Sequence, residues 1–317
     1  MHRSIEHKLK ISKEFVSSRL DQAIADLLPQ YSRALIQQWI KQGDLLVDQR
    51  LAKASLKLVG GERISIKSVI EDVTLAQPEF IPIDVVFEDA HLMVVNKPAG
   101  LVVHPGAGNA SGTLMNALLN YDENLKAVPR AGIIHRLDKN TSGLLIVARN
   151  IESQFKLVKD LESRTIKRSY AAIVYGTPPY RAGEVDLALG RHPKERKKVA
   201  VRVDGKSART HYIVTEKFEG HSLLGCELDT GRTHQIRVHM HNKGNSIVGD
   251  DKYKKKFKKI KNIDSFLENK LSNLNRQFLH AKTLGFIHPK KKKELLFNSI
   301  LPTELEIILK MLRNTSK

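Results

Sequence analysis

The sequence is poor in cysteine and in long apolar runs. Its one cysteine, Cys226, cannot form an internal disulfide or a thiolate zinc site, which excludes a secreted disulfide scaffold and fits a reducing compartment. The first residues, MHRSIEHKLKISKEF, lack the apolar core of a signal peptide, and no later stretch approaches the roughly 18 apolar residues of a membrane span. We therefore expect a cytoplasmic protein that does not bind membranes.

Acidic residues are also in short supply. The 317 residues include 53 Lys and Arg against 34 Asp and Glu, a formal charge of +19. Part of this excess is clustered in RHPKERKK (191–198), in KYKKKFKKIK (252–261) and in four lysines after Pro289. A single cluster is equally compatible with a solvated loop, and the lysine run lacks the Leu and Trp face of a membrane-surface helix. Three clusters together favour a nucleic acid as partner.

Length and composition predict two domains, since 41% hydrophobic residues suffice for two cores. An acidic segment with two prolines, EDVTLAQPEFIP, separates two regions with clear apolar patterning. We predict a first domain over 1–72, a linker over 73–82 and a second domain over 83–317. The first domain has two short helices followed by short strands, and in the second domain strands outnumber helices.

The first domain resembles the S4 RNA-binding domain from Ser18 to Ile66. This resemblance implies that Arg19, Arg33 and Lys41 lie on or beside the helical surface that meets RNA phosphates. A helix face that is merely solvated is the alternative.

Two segments in the second domain concentrate unlike polar groups beside apolar residues. AGIIHRLDKNTSGLLIVARN places a carboxylate, Asp138, on a loop before a buried strand, which suits catalysis, although turns and helix caps also favour Asp. In LDTGRTHQIRVHMH, His239 and His241 would share a face of a strand, so that a metal site with His234 is conceivable. No pattern of acidic partners accompanies these histidines, and we expect no metal.

Four motifs carry a resemblance over nearly the whole chain. HRLDKNTSGLLIVA, LDTGRTHQIRVH, IVGDDKY and FLHAKTLGFIHP, in that order after an S4-like module, resemble the RluA family of pseudouridine synthases. The resemblance implies an α+β fold, in which a small S4-type module precedes a mixed, largely antiparallel sheet with flanking helices. It also implies isomerisation of uridine to pseudouridine, with no cofactor.

Two further stretches, VVHPGAGNASGTLMNALL and VPRAGIIHRLDK, are most similar to a branch that acts on a stem-loop of large-subunit ribosomal RNA. The expected partner is therefore large-subunit (23S) ribosomal RNA, or the pre-ribosomal large subunit, and the expected state is a monomer.

The resemblance also assigns roles to single residues. Asp138 matches the catalytic aspartate, which must be ionised whether it attacks C1′ or removes a ribose 2′ proton. Arg232 matches the arginine that pairs with this carboxylate, and Tyr170 matches the tyrosine that stacks on the target base. Arg136 matches the arginine that fills the space of the flipped base. His135 is expected to support the residues that contact the substrate.

The alternative is a non-catalytic ribosome-assembly factor that binds ribosomal RNA with the same fold. Such a factor would not need Asp138, Tyr170 and Arg232 together, so an enzyme is favoured. A small-molecule hydrolase would need a Ser or Cys nucleophile elbow, which the sequence lacks. The lysine-rich 252–261 segment replaces a region that is often rich in Gly and Pro in the family, and its contacts with substrate stay open.

Overall fold

The computed structural model describes residues 2–28, 31, 33–71, 76–106, 108–195, 197–254 and 265–315. The chain divides into two compact units, residues 1–75 and 76–317. The boundary falls inside the predicted 73–82 linker, but the end of that segment packs on the second unit. Ala76 is buried in its core, and the backbone N–H of Glu79 donates to the carbonyl of Asn116 at 3.1 Å. Most of the lysine-rich 252–261 segment lies outside the described residues.

The first unit is a four-stranded antiparallel sheet with two helices. Its elements are β1 (His2–Lys10), α1 (Leu20–Leu27), α2 (Arg33–Gln42), β2 (Leu45–Val47), β3 (Arg50–Leu51) and β4 (Arg63–Glu71), and the strand order is β1-β4-β2-β3. Both predicted helices are confirmed, and their apolar stripes meet in a core that includes Ile24, Ile36 and Trp39. The sequence analysis missed β1, which pairs with β4 along its whole length.

The second unit is built on one large sheet. Its elements are β5 (Asp84–Glu88), β6 (Leu92–Lys97), α3 (Leu114–Tyr121), β7 (Ser142–Ala148), α4 (Ile151–Glu162), β8 (Lys167–Tyr175), β9 (Ala182–Asp186), β10 (Leu189–Arg191), β11 (Val199–Val201), β12 (Arg209–Phe218), β13 (His221–Leu228), α5 (Gln235–Lys243), α6 (Ser265–Ser272), β14 (Leu279–Ile287), β15 (Glu294–Asn298) and α7 (Thr303–Thr315). The strand order is β5-β6-β7-β14-β8-β13-β12-β9, and β15 pairs with β14. Only β7 and β14 run parallel among these described pairs, which confirms the predicted mixed, largely antiparallel sheet.

Both faces of the central strands are covered. On β7, Leu145 and Val147 face the larger core, whereas Leu144 and Ile146 face a smaller core that includes Leu157 of α4. Because successive strand residues point to opposite faces, burial on both sides requires an unbroken apolar run. The sequence SGLLIVA meets that requirement, and it gives the loop before β7 a rigid anchor.

The segment after β13 differs from the prediction. Gln235–Lys243 is a helix, and not the strand on which His239 and His241 would share a face. The alternation of polar and apolar residues in HQIRVHMH is typical of a strand, but α5 is buried from Gln235 to Met240 and so needs no apolar stripe. None of the helices in the described parts of the chain is long and apolar enough to cross a membrane.

Candidate active site

A cavity of about 550 Å³ opens in the second unit beside the loop before β7. Its wall also includes the start of β8, the segment between β13 and α5, and the first turn of α5. The cavity brings together five of the residues that the sequence analysis selected: His135, Arg136, Asp138, Tyr170 and Arg232.

Asp138 lies on this loop, and the backbone around it is held at several points. The N–H of Thr141 donates to the Asp138 carbonyl at 3.0 Å, and the carbonyl of Lys139 accepts the N–H of Gly100 at 2.9 Å. Lys139 O also accepts a hydrogen bond from the ammonium of Lys97 at 3.0 Å. The Asp138 side chain is 14% exposed and lines the cavity. The carboxylate therefore stands on a loop with little freedom to move.

Lys97, at the end of β6, is a fully buried cation that the sequence analysis missed. Its Nζ donates to the carbonyls of Pro98, Leu101 and Lys139 at 2.7, 2.8 and 3.0 Å. Burial lowers the pKa of Lys97 to about 7, because the charged ammonium is poorly solvated there. Because these carbonyls belong to two loops, the Lys97 side chain links the loop after β6 to the loop before β7.

A turn with left-handed backbone angles precedes the loop that carries Asp138. Arg130, Ala131 and Gly132 all have left-handed backbone angles, with φ of 55°, 49° and 76°. A Cβ on Gly132 would overlap the carbonyl oxygen of Ala148 on β7, so only glycine fits this close approach. For the non-glycine residues Arg130 and Ala131 such angles cost about 1–3 kcal/mol each, so the surrounding structure must hold them in this conformation.

The cation beside Asp138 is Arg237, in the first turn of α5. Its Nη1 donates to Asp138 Oδ2 at 3.0 Å, while Nε and Nη2 donate to Asp250 Oδ2 and Oδ1 at 2.6 and 2.8 Å. The prediction that Arg232 pairs with Asp138 is therefore wrong. Arg232 precedes the helix, is exposed, and donates from Nε to the carbonyl of Ser207 at 3.1 Å.

Arg237 and Asp250 form a buried ion pair, with side chains 4% and 0% exposed. Burial alone would lower the pKa of Arg237, but the hydrogen bonds and charges of the two carboxylates outweigh it and raise that pKa. Asp250 also accepts the backbone N–H groups of Lys252 and Tyr253 at 3.0 and 3.1 Å, and its pKa is lowered. The guanidinium therefore stays charged, and its hydrogen bond holds Asp138 Oδ2 in place.

His234 lies beside Asp138, and Tyr253 in turn contacts His234. Burial raises the pKa of Tyr253 to about 12, so its hydroxyl keeps the proton, and it lies 2.7 Å from His234 Nδ1. The same hydroxyl accepts the N–H of Val199 at 2.9 Å, which leaves its proton for His234. Burial lowers the pKa of His234, and a neutral ring that accepts at Nδ1 carries its proton on Nε2, 4.0 Å from Asp138 Oδ1.

Tyr170, Arg136 and His135 also line the cavity, and His135 is hydrogen-bonded to β7. Tyr170, on β8, is 6% exposed, and burial raises its pKa, so the phenol stays protonated. Arg136 is exposed. The His135 Nε2 accepts the backbone N–H of Ile146 on β7 at 3.1 Å, and burial lowers the pKa of this imidazole to about 3. The neutral ring thus braces the loop against β7.

The histidines of the conceivable metal site make hydrogen bonds to different protein groups. His239 bonds through Nδ1 to Thr210 Oγ1 at 2.9 Å and through Nε2 to the carbonyl of Leu187 at 3.0 Å. His241 Nδ1 lies 2.9 Å from Ser246 Oγ. Within the ranges that the structure describes, no three His, Cys, Asp or Glu side chains are grouped as metal ligands.

In the first unit, two predicted RNA contacts share one carboxylate. Asp21 is fully buried and accepts from Arg19 Nε at 3.0 Å and from Arg33 Nη2 at 2.8 Å, with Gln37 Nε2 at 2.6 Å. The sequence analysis missed Asp21. Lys41 is exposed, eight residues beyond Arg33 on α2, which is about 12 Å along the helix.

Comparison with known proteins gives two family matches. The model of the RNA pseudouridylate synthase family matches residues 91–242, and that of the S4 domain matches residues 18–64. Curated relatives named ribosomal large subunit pseudouridine synthase D include proteins of Nitrosomonas europaea, Xanthomonas campestris pv. campestris and Escherichia coli K12. They are 47%, 46% and 40% identical, over 97%, 94% and 99% of this chain and 88%, 90% and 96% of their own lengths.

Two solved structures are similar in fold. Human RNA pseudouridylate synthase domain containing 4 superposes with a TM-score of 0.58 and 26% identity, over 73% of this chain and 93% of its own. Human RNA pseudouridylate synthase domain containing 1 superposes with a TM-score of 0.53 and 22% identity, over 77% and 98%.

Proposed function

The chain belongs to the RNA pseudouridylate synthase family, and we propose that it isomerises specific uridines of large-subunit ribosomal RNA to pseudouridine. The substrate is proposed from the curated relatives, whose names specify the large ribosomal subunit and which match over nearly their full length. The S4 domain and the charge of +19 support an RNA partner. No observation favours a non-catalytic binding factor.

The observation that carries the proposal is the setting of Asp138. In the isomerisation the bond from ribose C1′ to uracil N1 breaks, a bond from C1′ to C5 forms, and C5 loses its proton. Asp138 acts in its ionised form, either by adding to C1′ or by taking the 2′ proton. Arg237 occupies Oδ2, whereas Oδ1 accepts no hydrogen bond from the described residues and lies 4.0 Å from His234 Nε2. Oδ1 is therefore the oxygen we assign to the reaction.

The cavity wall supplies what a flipped uridine needs. A base inside a stem must leave its stack before C1′ can reach a carboxylate, at a cost of a few kcal/mol. Tyr170 lines the cavity and is 6% exposed, and its aromatic ring is the surface on which we propose that the base stacks. Arg136 is exposed and lines the same cavity, which supports the proposal that it fills the place that the base vacates in the stem.

The proposal is tested with an unmodified transcript of large-subunit ribosomal RNA and with pre-ribosomal large subunits. Pseudouridine is mapped by chemical labelling and primer extension after incubation with wild type, Asp138→Asn or Asp229→Asn. Asp229 is the matched control, because its carboxylate also lines the cavity but bonds to His211. We expect modification by wild type and by Asp229→Asn, and none by Asp138→Asn.

Two results would contradict the proposal. Modification by Asp138→Asn would remove this residue from the chemistry. Tight RNA binding by wild type without modification of either substrate would favour the non-catalytic binding factor.

A further inference from the structure

Arg168 is a buried cation of the cavity wall for which the described residues supply no counter-charge. It is 6% exposed and lines the cavity. Its Nη2 donates to the carbonyl of Leu228 at 3.2 Å, while Nε is buried without a partner. Among the described residues no carboxylate lies within 4.0 Å of it. The other buried arginines differ, since Arg237 bonds to two carboxylates and Arg276 bonds to Glu304.

An unpaired buried charge is costly, so its retention calls for a partner that arrives with the substrate. The loop over Arg168 leaves room for this side chain in particular. A Cβ on Gly231 would lie 2.8 Å from Arg168 Nη1, and Gly231 has an ordinary negative φ or an extended backbone. The close approach thus depends on the missing side chain and not on a special backbone angle.

Arg168 and Arg237 are the buried arginines of the cavity wall, and Arg168 is the one without a carboxylate partner among the described residues. Arg130, Arg136, Arg164 and Arg232 are exposed and suit backbone phosphates, which stay at the surface. Arg168 is buried and lies two residues before Tyr170 on β8, so both side chains point to the same face of the sheet. The guanidinium is therefore beside the place where the base stacks, and not where the phosphates pass.

We propose that Arg168 stabilises the negative charge of the departing uracil, an inference that rests on the proposed function. When the C1′–N1 bond breaks, its electron pair stays on uracil, which becomes an anion with charge spread over N1, O2 and O4. Asp138 balances this at the ribose, by adding Oδ1 to C1′ or by accepting the 2′ proton. The anion then forms the C5–C1′ bond with this pair, as Asp138 leaves C1′ or returns the proton to C2′. Loss of the C5 proton and protonation of N1 complete the pseudouridine. A fixed guanidinium in a cavity wall stabilises such a charge without having to reorient.

The test separates the chemical step from binding. Single-turnover rate constants at saturating transcript, Kd values and their salt dependence are measured for wild type, Arg168→Gln, Arg168→Lys and Lys167→Gln. Lys167 is the control, because it is the adjacent cation on the opposite, exposed face of β8. We expect Arg168→Gln to lower the rate constant about 10²-fold or more, with Kd changed less than about 3-fold. Arg168→Lys recovers part of the rate, and Lys167→Gln matches wild type.

Each other outcome has a distinct meaning. A weaker Kd and a smaller salt slope at an unchanged rate constant would overturn the proposal in favour of a phosphate contact. Equal rate losses in Arg168→Gln and Arg168→Lys that follow the folded fraction in thermal unfolding would overturn it in favour of a structural role. A wild type that forms no pseudouridine would refute the proposed function itself, whereas failure of the Arg168 role alone leaves wild type active.

Discussion

The contact between Arg237 and Asp138 predicts opposite outcomes for two arginines of one short segment. Arg237→Met removes the cation that holds Asp138 Oδ2, whereas Arg232→Met removes an exposed side chain that bonds to a backbone carbonyl. We expect Arg237→Met to abolish most of the pseudouridine formation. Arg232→Met should retain the chemical step and lose at most some affinity for RNA.

The size of the effect follows from the contacts. Arg237 makes three hydrogen bonds to carboxylates, and its loss leaves Asp250 fully buried without a counter-charge. Breaking a buried pair in this way costs about 3–5 kcal/mol of stability. A carboxylate displaced by even 1 Å loses about 10²-fold in rate, so we expect a loss of at least that size.

A second variant separates folding from catalysis. In Arg237→Met/Asp250→Asn the buried charge is gone, but the amide oxygen still accepts the backbone N–H groups of Lys252 and Tyr253. We expect its denaturant midpoint to recover most of the way to wild type, while the single-turnover rate stays low. Rate recovery together with stability, or a larger rate loss in Arg232→Met than in Arg237→Met, would refute the reasoning.

Three further predictions concern the supports of the two units. Gly132→Ala should lose several kcal/mol in urea unfolding, because its Cβ meets the Ala148 carbonyl, whereas Gly100→Ala, also at positive φ but in open space, should lose only about 1 kcal/mol. The pKa of Lys97 is lowered from 10.5 to about 7 in the folded protein. Between pH 7 and pH 10.5 the side chain is therefore mostly neutral when folded and mostly charged when unfolded, so that the unfolded state binds more protons. The unfolding free energy should therefore rise with pH by up to about 1.4 kcal/mol per unit there, and Lys97→Met should lack this rise. Asp21→Asn should weaken RNA binding although it adds positive charge, because the two arginines it holds are released; tighter binding would mean that net charge alone matters.

Much of the fold could be predicted from the sequence where one periodicity dominates. The sequences of α7 (Thr303–Thr315) and α4 (Ile151–Glu162) both show apolar residues at helical spacing. The apolar stripe of α7 is buried as expected for an amphipathic helix. Helix α4 instead buries Leu157 together with two polar residues, and its Ile151 and Phe155 are exposed. Helix α5 could not be predicted in this way, because it is buried on nearly all sides and its alternating residues imitate a strand. Strand β1 was missed, since its pairing with β4 is a contact between distant parts of the chain.

Within the site, the sequence led to Asp138 but not to its partner. A carboxylate before the apolar run SGLLIVA must lie at the end of a buried strand, which is a local inference. The choice between Arg232 and Arg237 depends on which side of the α5 start each residue lies, and hence on the fold. Asp250 and Lys97 lie 112 and 41 positions from Asp138 in the chain, and nothing local indicates that they converge on it.

One signal in the sequence would have found both buried arginines. Arg237 stands between Ile236 and Val238, and Arg168 is the second residue of β8, two positions before Tyr170 and the apolar run AAIV that follows it. An arginine in such surroundings is almost never buried unless it is paired, so each requires an anion from elsewhere. For Arg237 the fold provides Asp138 and Asp250. For Arg168 the described residues provide none, and the same requirement that identifies the partner of Asp138 then assigns the missing anion to the substrate.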